Sequence, residues 1–383
     1  MKKVKIKDIN HYQSHSINPA KMPDEIFEVY SVPSFDSKHP EYLSGSEIGS
    51  TKVLVQTNDV LLCKINPRIN RVWVVGEPCE YTSIASSEWI IVRTNDVLPE
   101  YLAWYFRTSK FQKLMQSEVT GIGGSLTRAQ PKRVAEYEVP ICSIDEQMHI
   151  ISCLNKVSQI VDERKQQLAE LGNLIKARFV EMLGDPVRNP KGWSSVGLLE
   201  LGSCKNGMNF HTDDAGVEVH CLGVGDFKDK SVISDTSVLP LVSLNEMPSG
   251  EYLLQDGDIV FVRSNGNKAL VGRCLAVFPG QIQTTFSGFC IRFRKSSHEI
   301  TTEFLIHVLK TESMRKKMQG RGANIQNLNQ QILGSLSIPV PPVDLQNRFS
   351  EFVAQVDKSK LSVQKSLDQL ETLKKALMQQ YFE

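Results

Sequence analysis

Two short polar segments carry side chains suited to contacts with nucleic acid. These side chains are Lys64, Asn66, Arg68 and Arg71 in KINPRINR, and Arg263, Asn265, Asn267, Lys268 and Arg273 in or just after RSNGNK. Arginine can bind a guanine edge through two hydrogen bonds, asparagine can bind an adenine edge in the same way, and lysine suits phosphates. Asn, Pro and Gly also favour turns without any ligand, so a purely structural role stays open.

A second pair of segments is rich in glycine, which permits close approach of the backbone to a ligand. One is TGIGGSLTRAQPKR over 120–133, and the other is GRGANIQNLNQQ, which begins at 320. The polar candidates in these segments are Arg128, Lys132, Arg321, Asn324, Gln326 and Asn327. The alternative is that each segment is only a flexible connection between a helix and a strand.

Motifs for catalysis are missing from the sequence. It has no phosphate loop of the GxxxxGK[ST] type, no GxGxxG after a first strand, no HExxH and no GxSxG. The best carboxylate cluster is Asp213, Asp214 and Asp226 with Lys228, and the pairs His11 with His15 and His211 with His220 are weak metal signals. We therefore assign no catalytic residue and no metal site, although a single-chain nuclease stays an alternative.

The polar segments recur because the chain is a tandem duplication. Residues 121–183 align without a gap to 320–382, with 11 identities among 63 positions. The same offset of 199 aligns DVLLCKIN over 59–66 with DIVFVRSN over 258–265. Repeats set the architecture of a chain, so two copies of one unit are expected.

Each copy ends in a segment with apolar residues spaced four and three apart, which is the pattern of a coiled-coil seam. Arg164, Arg178, Lys360 and Lys374 interrupt the two seams, and no proline lies within 145–183 or 343–383. Two long helices are therefore predicted. The seam residues proposed as a subunit interface are Leu154, Val157, Val161, Leu168, Leu171, Val353, Val356, Val363, Leu367 and Leu370.

The first part of each copy mixes strands with helices. Alternating or continuous apolar runs predict strands within 51–65, 71–77 and 87–95, and within 257–266, 270–278 and 287–295. Apolar residues at helical spacing predict one helix over 99–116 and one over 302–319. The predicted fold class is α+β, with globular domains over 1–142 and 185–342 and long helices over 143–184 and 343–383.

Composition narrows the classes of protein that fit. The 383 residues carry 44 basic and 43 acidic side chains, so the chain as a whole is not a basic nucleic-acid binder. No apolar run approaches the roughly 18 residues that span a bilayer. The eight cysteines are scattered without a CxxC motif, which is typical of reduced thiols in the cytoplasm.

The chain resembles the specificity subunits of type I restriction-modification systems. In each copy a glycine-rich segment is followed by VPICSIDEQ (139–147) or IPVPPVDLQ (338–346) and then by a long helix. The sequence MLGDPVRNPKGW (182–193) leads from the first copy into the second. The resemblance covers the whole chain, and it departs from the usual family pattern at Leu345 and at Cys142-Ser143.

The resemblance implies a specific arrangement and function. The globular domains would be target-recognition domains that bind the two halves of a bipartite, asymmetric sequence in double-stranded DNA. The long helices would pack antiparallel in a pseudo-twofold arrangement, hold the half-sites apart and bind two methyltransferase (M) subunits. Restriction (R) subunits would join them, and S-adenosylmethionine, ATP and magnesium would sit on those partners, with no cofactor in this chain. A coiled-coil adaptor that binds no nucleic acid is the other alternative.

Overall fold

The computed structural model describes residues 1–117, 119–120, 127–210, 214–227, 231–319 and 327–382. The chain divides into two compact units. Unit 1 consists of Met1–Gln166 and Val363–Glu383, and unit 2 consists of Gln167–Ser362. Each unit therefore contains one mixed domain and a part of each long helix.

The first mixed domain is built from short strands and four helices, and the first long helix follows it. In chain order the elements are β1 Lys2–Lys5, α1 Ile6–Ile9, β2 Ser16–Ile17, β3 Ile26–Tyr30, β4 Glu41–Ser44, β5 Lys52–Leu54, β6 Val60–Cys63, β7 Val72–Val74, β8 Thr82–Ser86, β9 Trp89–Val92, α2 Pro99–Phe106, α3 Ser109–Ser117, β10 Val119–Thr120, β11 Arg128–Ala129, α4 Pro131–Val134, β12 Glu138–Ile141 and α5 Ile144–Leu183.

The second mixed domain repeats this order with small changes. Its elements, with the second long helix, are β13 Ser195–Gly197, β14 Gly202–Asn206, β15 Val217–Leu222, β16 Val232–Ile233, β17 Leu241–Leu244, β18 Asp258–Val262, β19 Cys274–Val277, β20 Thr284–Phe286, β21 Cys290–Lys295, α6 Thr302–Lys310, α7 Glu312–Gln319, α8 Gln330–Gly334, β22 Ser337–Pro339 and α9 Val343–Phe382. The α+β prediction is confirmed.

One buried strand organises the sheet in each domain. In unit 1, β6 lies between β7 and β9, and in unit 2, β18 lies between β19 and β21, all as antiparallel pairs. Every residue of β6 and of β18 is buried. The continuous apolar run in each copy is thus a strand covered on both faces. The polar segment begins directly after the last residue of this strand.

A buried ion pair joins this central strand to its neighbour in both units. Arg93 Nε and Nη2 donate to the two carboxylate oxygens of Asp59 at 2.7 Å, and Arg294 makes the same pair with Asp258 at 2.8 and 2.7 Å. Each carboxylate also accepts a backbone N–H, from Gln56 or from Gln255. The aspartate side chains are 0% and 1% exposed, so charge and hydrogen bonds are satisfied internally.

The single helix predicted over 99–116 is wrong, and so is the one over 302–319. Each is two helices, because a threonine at the same place in each copy ends the first and begins the second. The Thr108 hydroxyl donates to Tyr105 O at 2.7 Å and accepts from Phe111 N at 3.2 Å. Thr311 does the same with Val308 O and Met314 N. A side chain that satisfies backbone groups in this way competes with a continuous helix.

The two long helices are present, and each has 40 residues. Ser143 and Glu146 form the predicted capping box, and Gly184, with φ of 81°, ends α5. All predicted seam positions are buried or half-buried, including the charged interruptions. Neither of these helices, nor any other in the described ranges, is long and apolar enough to cross a membrane.

Within each unit the two helices supply one core. In unit 1, Ile150 and Leu154 of α5 belong to the same cluster as Phe382 of α9, and Lys165 pairs with Glu371 at 3.0 Å. Positions that rise along α5 meet positions that fall along α9, so the helices run antiparallel there. In unit 2, Phe179 packs edge-on against Phe349, with ring centroids 5.3 Å apart.

A buried glutamine fixes the start of each long helix to its domain. Gln147 Oε1 accepts from Leu98 N at 2.9 Å while Nε2 donates to Cys142 O. Gln346 accepts from Thr301 N and donates to Pro341 O, both at 2.8 Å, and both glutamines are 0% exposed. These identities from the duplication therefore join the first residues of the long helix to the start of α2 or α6.

Candidate nucleic-acid interface

Three separate segments of unit 1 meet just beyond the end of β6. We call them the unit 1 loop cluster: residues 64–71, 87–88 and 127–129. Lys64 N donates to Glu88 O at 3.0 Å, and Ala129 N donates to Lys64 O at 2.9 Å. Asn66, which has a φ of 48°, donates its N–H to Thr127 O at 2.8 Å. The structure thus brings together the two polar segments that the sequence treats separately.

The charged side chains of the unit 1 loop cluster are largely paired with the protein itself. Arg128 Nε and Nη2 donate to the two carboxylate oxygens of Glu88 at 3.1 and 3.2 Å, and this carboxylate raises the pKa of the guanidinium. Lys64 Nζ donates to Ser87 O at 2.6 Å. Arg68 is exposed, and its Nε donates to Asn66 Oδ1 at 3.3 Å. Arg68 is therefore the most accessible cation of the predicted segment.

Arg71 lies deeper than the sequence suggests. Its backbone carbonyl accepts from Cys63 N at 3.0 Å, and its side chain is half-buried beside the Cys63 thiol. Its Nε is buried and has no hydrogen-bond partner among the described residues. The neighbouring Asn70 donates to Arg107 O at 3.2 Å and closes the loop against the end of α2.

Unit 2 repeats the same backbone arrangement. We call residues 263–273, 287–289 and 327–328 the unit 2 loop cluster. Arg263 N donates to Phe289 O at 2.8 Å, and Leu328 N donates to Arg263 O at 2.7 Å. Ser264 bridges Asn327, as Ile65 bridges Arg128 in unit 1. These hydrogen bonds make Phe289 the counterpart of Glu88 and Asn327 the counterpart of Arg128.

The asparagines of the second segment shape its turn. Asn265 Oδ1 accepts from Asn267 N at 2.8 Å, and Asn267 Oδ1 accepts from Ala269 N at 3.0 Å. Both are bonds of a side chain to the backbone two residues on, which is the turn chemistry left open above. Arg263 is half-buried, and its Nη1 donates to Gly288 O at 3.4 Å.

An open cavity of about 400 Å³ lies in the unit 2 loop cluster. It is lined by Val224, Ser264, Asn265, Gly266, Phe289 and Asn327. Phe289 is 60% exposed, and Asn327 is exposed as well. No charged residue is among the described residues of the lining. The corresponding place in unit 1 holds the Glu88–Arg128 ion pair.

The other predicted contact residues that the structure describes are Lys132, which follows the unit 1 loop cluster, and Lys268 and Arg273, which belong to the unit 2 loop cluster. Lys132 is exposed on α4, and Lys268 is exposed at the rim of its loop. Arg273 holds the place of Arg71, since its carbonyl accepts from Val262 N at 2.8 Å. It lies near Arg315 of α7, whose pKa is lowered by burial and by the Arg273 charge. Arg321, Asn324 and Gln326 lie outside the described residues.

Sequence reasoning missed Glu88 and Phe289, which stand at the centre of the two clusters. Glu88 lies in the short connection between β8 and β9, and Phe289 lies in the one between β20 and β21. Both are distant in the sequence from the segments that they contact. A signal was available: SSEWIIV (86–92) and SGFCIRF (287–293) occupy matching places in the two copies, and Glu88 stands opposite Phe289. Such a difference at a shared position is the same pattern that identified the polar segments.

The carboxylates considered for a nuclease serve the fold where they are described. Asp214 Oδ1 accepts from Asn245 Nδ2 at 2.9 Å, and Asp226 Oδ2 accepts from Gly223 N at 2.9 Å. Asp213, Lys228 and His211 lie outside the described residues. Within the described ranges, no group of three or more His, Cys, Asp or Glu side chains could hold a metal ion.

The seam residues predicted as a subunit interface contribute first to their own unit. Leu154, Val161, Val356 and Leu367 are buried, with exposures of 0% to 6%. The long helices also carry large apolar side chains that are at least 41% exposed. These are Ile144, Met148, Leu174, Val180, Val343, Leu361 and Leu373. They are not among the residues predicted as the interface, which stays a prediction.

The sequence is similar to proteins of one family. Residues 221–372 match the family of type I restriction modification DNA specificity domains. The chain is 25% identical over 310 residues to the type I restriction enzyme StySPI specificity subunit of Salmonella potsdam, an alignment that covers 75% of this chain and 65% of that one. It is 22% identical over 385 residues to the MjaVIII specificity subunit of Methanocaldococcus jannaschii, covering 94% and 87%.

Solved structures share the fold over the full chain. One comes from work on complex assembly and conformational transition of the type I R-M system, with a TM-score of 0.63 at 17% identity and coverage of 100% and 97%. Another is a type I restriction-modification S subunit from M. genitalium, with a TM-score of 0.57 at 12% identity and coverage of 100% and 96%. At these identities the likeness concerns the fold.

Proposed function

We propose that this chain, which belongs to the specificity subunits of type I restriction-modification systems, selects the DNA sequence on which its partner subunits act. The observation that carries the proposal is the duplicated loop cluster. The same backbone hydrogen bonds support both clusters, whereas the side chains at matching positions differ. A shared scaffold with different polar side chains fits two domains that recognise two different half-sites.

Each unit would bind one half of a bipartite target. Arg68 in unit 1 and Arg263 in unit 2 are suited to guanine edges or phosphates, and exposed Lys132 and Lys268 are suited to phosphates. The net charge of +1 is small for a DNA-binding protein. We infer that the partner subunits hold much of the phosphate backbone, so that this chain supplies selectivity more than bulk attraction.

The chemistry would reside on the partners. In this proposal two methyltransferase subunits bind the long helices and carry S-adenosylmethionine, and restriction subunits bring ATP and magnesium. The exposed apolar side chains of α5 and α9 support the docking of partners there. The names of the related proteins, all specificity subunits, support a role without catalysis for this chain.

The direct test is methylation by the complex of this chain with its methyltransferase subunits, measured on a library of variant sites. Arg68→Ala and Arg263→Ala should each relax preference in one half-site and leave the other unchanged, at a cost of about 1–3 kcal/mol per base contact. Arg188→Ala, an exposed arginine outside both loop clusters, is the matched control.

Other outcomes would contradict the proposal. Wild-type preference at every position in both variants would show that the loop clusters do not select bases. Metal-dependent cleavage by the purified chain alone would favour a nuclease. A complex that prefers no sequence over bulk DNA would favour a coiled-coil adaptor.

We also propose that the length of the long helices sets the spacing between the half-sites. A helix of 40 residues is about 60 Å long. Insertion of one heptad into both α5 and α9 keeps the seam in phase and should lengthen the unspecific spacer while both half-sites stay the same. A methylated motif whose half-sites change at constant spacing would refute this.

A further inference from the structure

The unit 2 loop cluster contains an open cavity whose described lining residues are all uncharged. Its described lining consists of two asparagines, a serine, a glycine, a valine and Phe289. A single exposed phenylalanine is ordinary on a protein surface. Here it stands at the rim of a cavity, beside the amide of Asn327 and opposite the loop that carries Ser264. An apolar ring and an amide at one cavity can contact two different groups of a single ligand.

Phe289 is held in place by its backbone. Its carbonyl accepts from Arg263 N at 2.8 Å and from Ser264 N at 3.4 Å, and its N–H donates to Ser287 Oγ at 3.3 Å. A Cβ on the preceding Gly288 would require the Asn209 side chain to move, so the connection packs closely against Asn209. The ring is therefore presented to solvent by a fixed loop and contributes little to the core.

Asn327 is placed to act beside that ring. Its backbone bridges Ser264, and its side chain is exposed at the cavity. Asn265 is less suited, because its Oδ1 already accepts a backbone N–H within the turn. In the major groove an A·T pair presents the adenine N7 acceptor and N6 donor next to the thymine methyl group. An asparagine amide matches the first two groups and an apolar ring matches the third.

We propose that the unit 2 cavity recognises one A·T base pair in the major groove, with Asn327 on the adenine edge and Phe289 on the thymine methyl. The inference rests on the proposed function and adds the class of base pair to it. Unit 1 lacks this combination, since Glu88 and Arg128 fill the two matching positions. This particular contact to an A·T pair should therefore belong to the half-site of unit 2.

The test uses the complete complex with its methyltransferase subunits and the methylated motif of the wild type. Phe289→Ala should lose discrimination at one A·T position of one half-site by about 5- to 150-fold, and Phe289→Leu should retain most of it. The matched control is Val238→Ala, which trims an apolar side chain of unit 2 that is 68% exposed and lies outside the loop cluster. Phe289 is mostly exposed, so thermal unfolding should be unchanged in both phenylalanine variants.

Modified bases test each contact separately. Deoxyuridine in place of the thymine removes only the methyl group and should slow wild-type methylation, whereas Phe289→Ala should not distinguish the two bases. 7-Deazaadenine removes N7 and should affect the wild type but not Asn327→Ala.

Two results would overturn the inference. Phe289→Ala could weaken all sequences alike, as a wedge between base steps would, or wild-type methylation could be the same with thymine and deoxyuridine. A wild-type complex without any sequence preference would instead defeat the proposed function itself.

Discussion

In unit 1 the connection from β8 to β9 carries Glu88, whose carboxylate is paired with Arg128. In unit 2 the matching connection from β20 to β21 carries Phe289, which is exposed and lines the same cavity as Asn327. The backbone contacts around the two positions are the same. Hydrogen bonds between main-chain groups do not depend on side-chain identity, so they can hold a loop in place while its side chains change. The comparison separates the groups that support the loops from the side chains that we propose to select the bases.

Loss of the ion pair that supports each loop cluster should give the largest decrease in stability, and the decrease should be similar in the two units. Asp59→Ala in unit 1 and Asp258→Ala in unit 2 each remove a buried carboxylate from an arginine that is 27% or 25% exposed, and the loss of such a pair costs up to about 3–5 kcal/mol. We expect a loss of this size in the free energy of unfolding for both variants, measured by chemical denaturation of the full chain. Glu312→Ala, which removes an exposed i,i+4 pair with Lys316, is the control and should change little.

A loss below about 1 kcal/mol in one unit and a large loss in the other would contradict the view that both loop clusters rest on the same device.

The dependence of stability on pH should differ between the two units. His307 of α6 packs edge-on against Phe349, and burial, together with the charge of Lys310, lowers its pKa to about 4. His307 therefore stays neutral in the folded state, whereas in the unfolded state it takes up a proton below its usual pKa of about 6.5. Stability is complete above that pH and falls as the pH drops toward 4, by on the order of 2–3 kcal/mol.

Unit 1 has Trp104 at the corresponding place, where its Nε1 donates to Asn155 Oδ1 at 2.9 Å, and tryptophan does not titrate. His307→Phe should therefore remove part of the acid sensitivity of the chain. Denaturation of both proteins at intervals from pH 7.5 to 4 measures the difference between them. Curves that run parallel over this range would show that His307 does not contribute.

A sharper test of the comparison replaces the pair Glu88 and Arg128 of unit 1 by the residue types found at the matching positions of unit 2. Glu88→Phe together with Arg128→Asn places the unit 2 side chains on the unit 1 scaffold. The lost ion pair is partly exposed, with side chains 28% and 43% accessible, so stability should change little. We expect one position of the unit 1 half-site to shift toward A·T by about 1–3 kcal/mol, measured on the site library. An unchanged motif would mean that these positions do not face the bases.

Local patterns in the sequence predicted much of this structure. The heptads fixed both long helices and the face they bury, because periodicity reports which residues share a side. The polar segments after β6 and β18 followed from apolar runs that end abruptly. The same reasoning failed at Thr108 and Thr311, where the apolar spacing continues across a break set by a threonine hydroxyl.

The loop clusters themselves could not be assembled from the sequence. They depend on hydrogen bonds between residues far apart in the chain, such as Asn66 with Thr127 and Arg263 with Leu328. The half-buried side chain of Arg71 is another case, since its type and position suggested an exposed contact. Duplication offers the missing signal in part: Asp59 with Asp258 and Gln147 with Gln346 are matching identities, and each proves to be a buried support.

Removal of a lysine that contacts phosphate should have the smallest effect, and this effect on DNA affinity should be the same for either unit. Lys132, which follows the unit 1 loop cluster, and Lys268, which belongs to the unit 2 loop cluster, are both exposed. A lysine that contacts phosphate adds affinity without regard to sequence. Lys132→Ala and Lys268→Ala should each weaken binding of the complex to cognate and unrelated DNA by the same factor, and each should reduce the slope of log K against log salt by about 1. Titrations at several salt concentrations measure both quantities. If either variant changed preference at a base while the slope stayed the same, that lysine would belong with the variable side chains, and the line between support and selection would have to be redrawn in that unit.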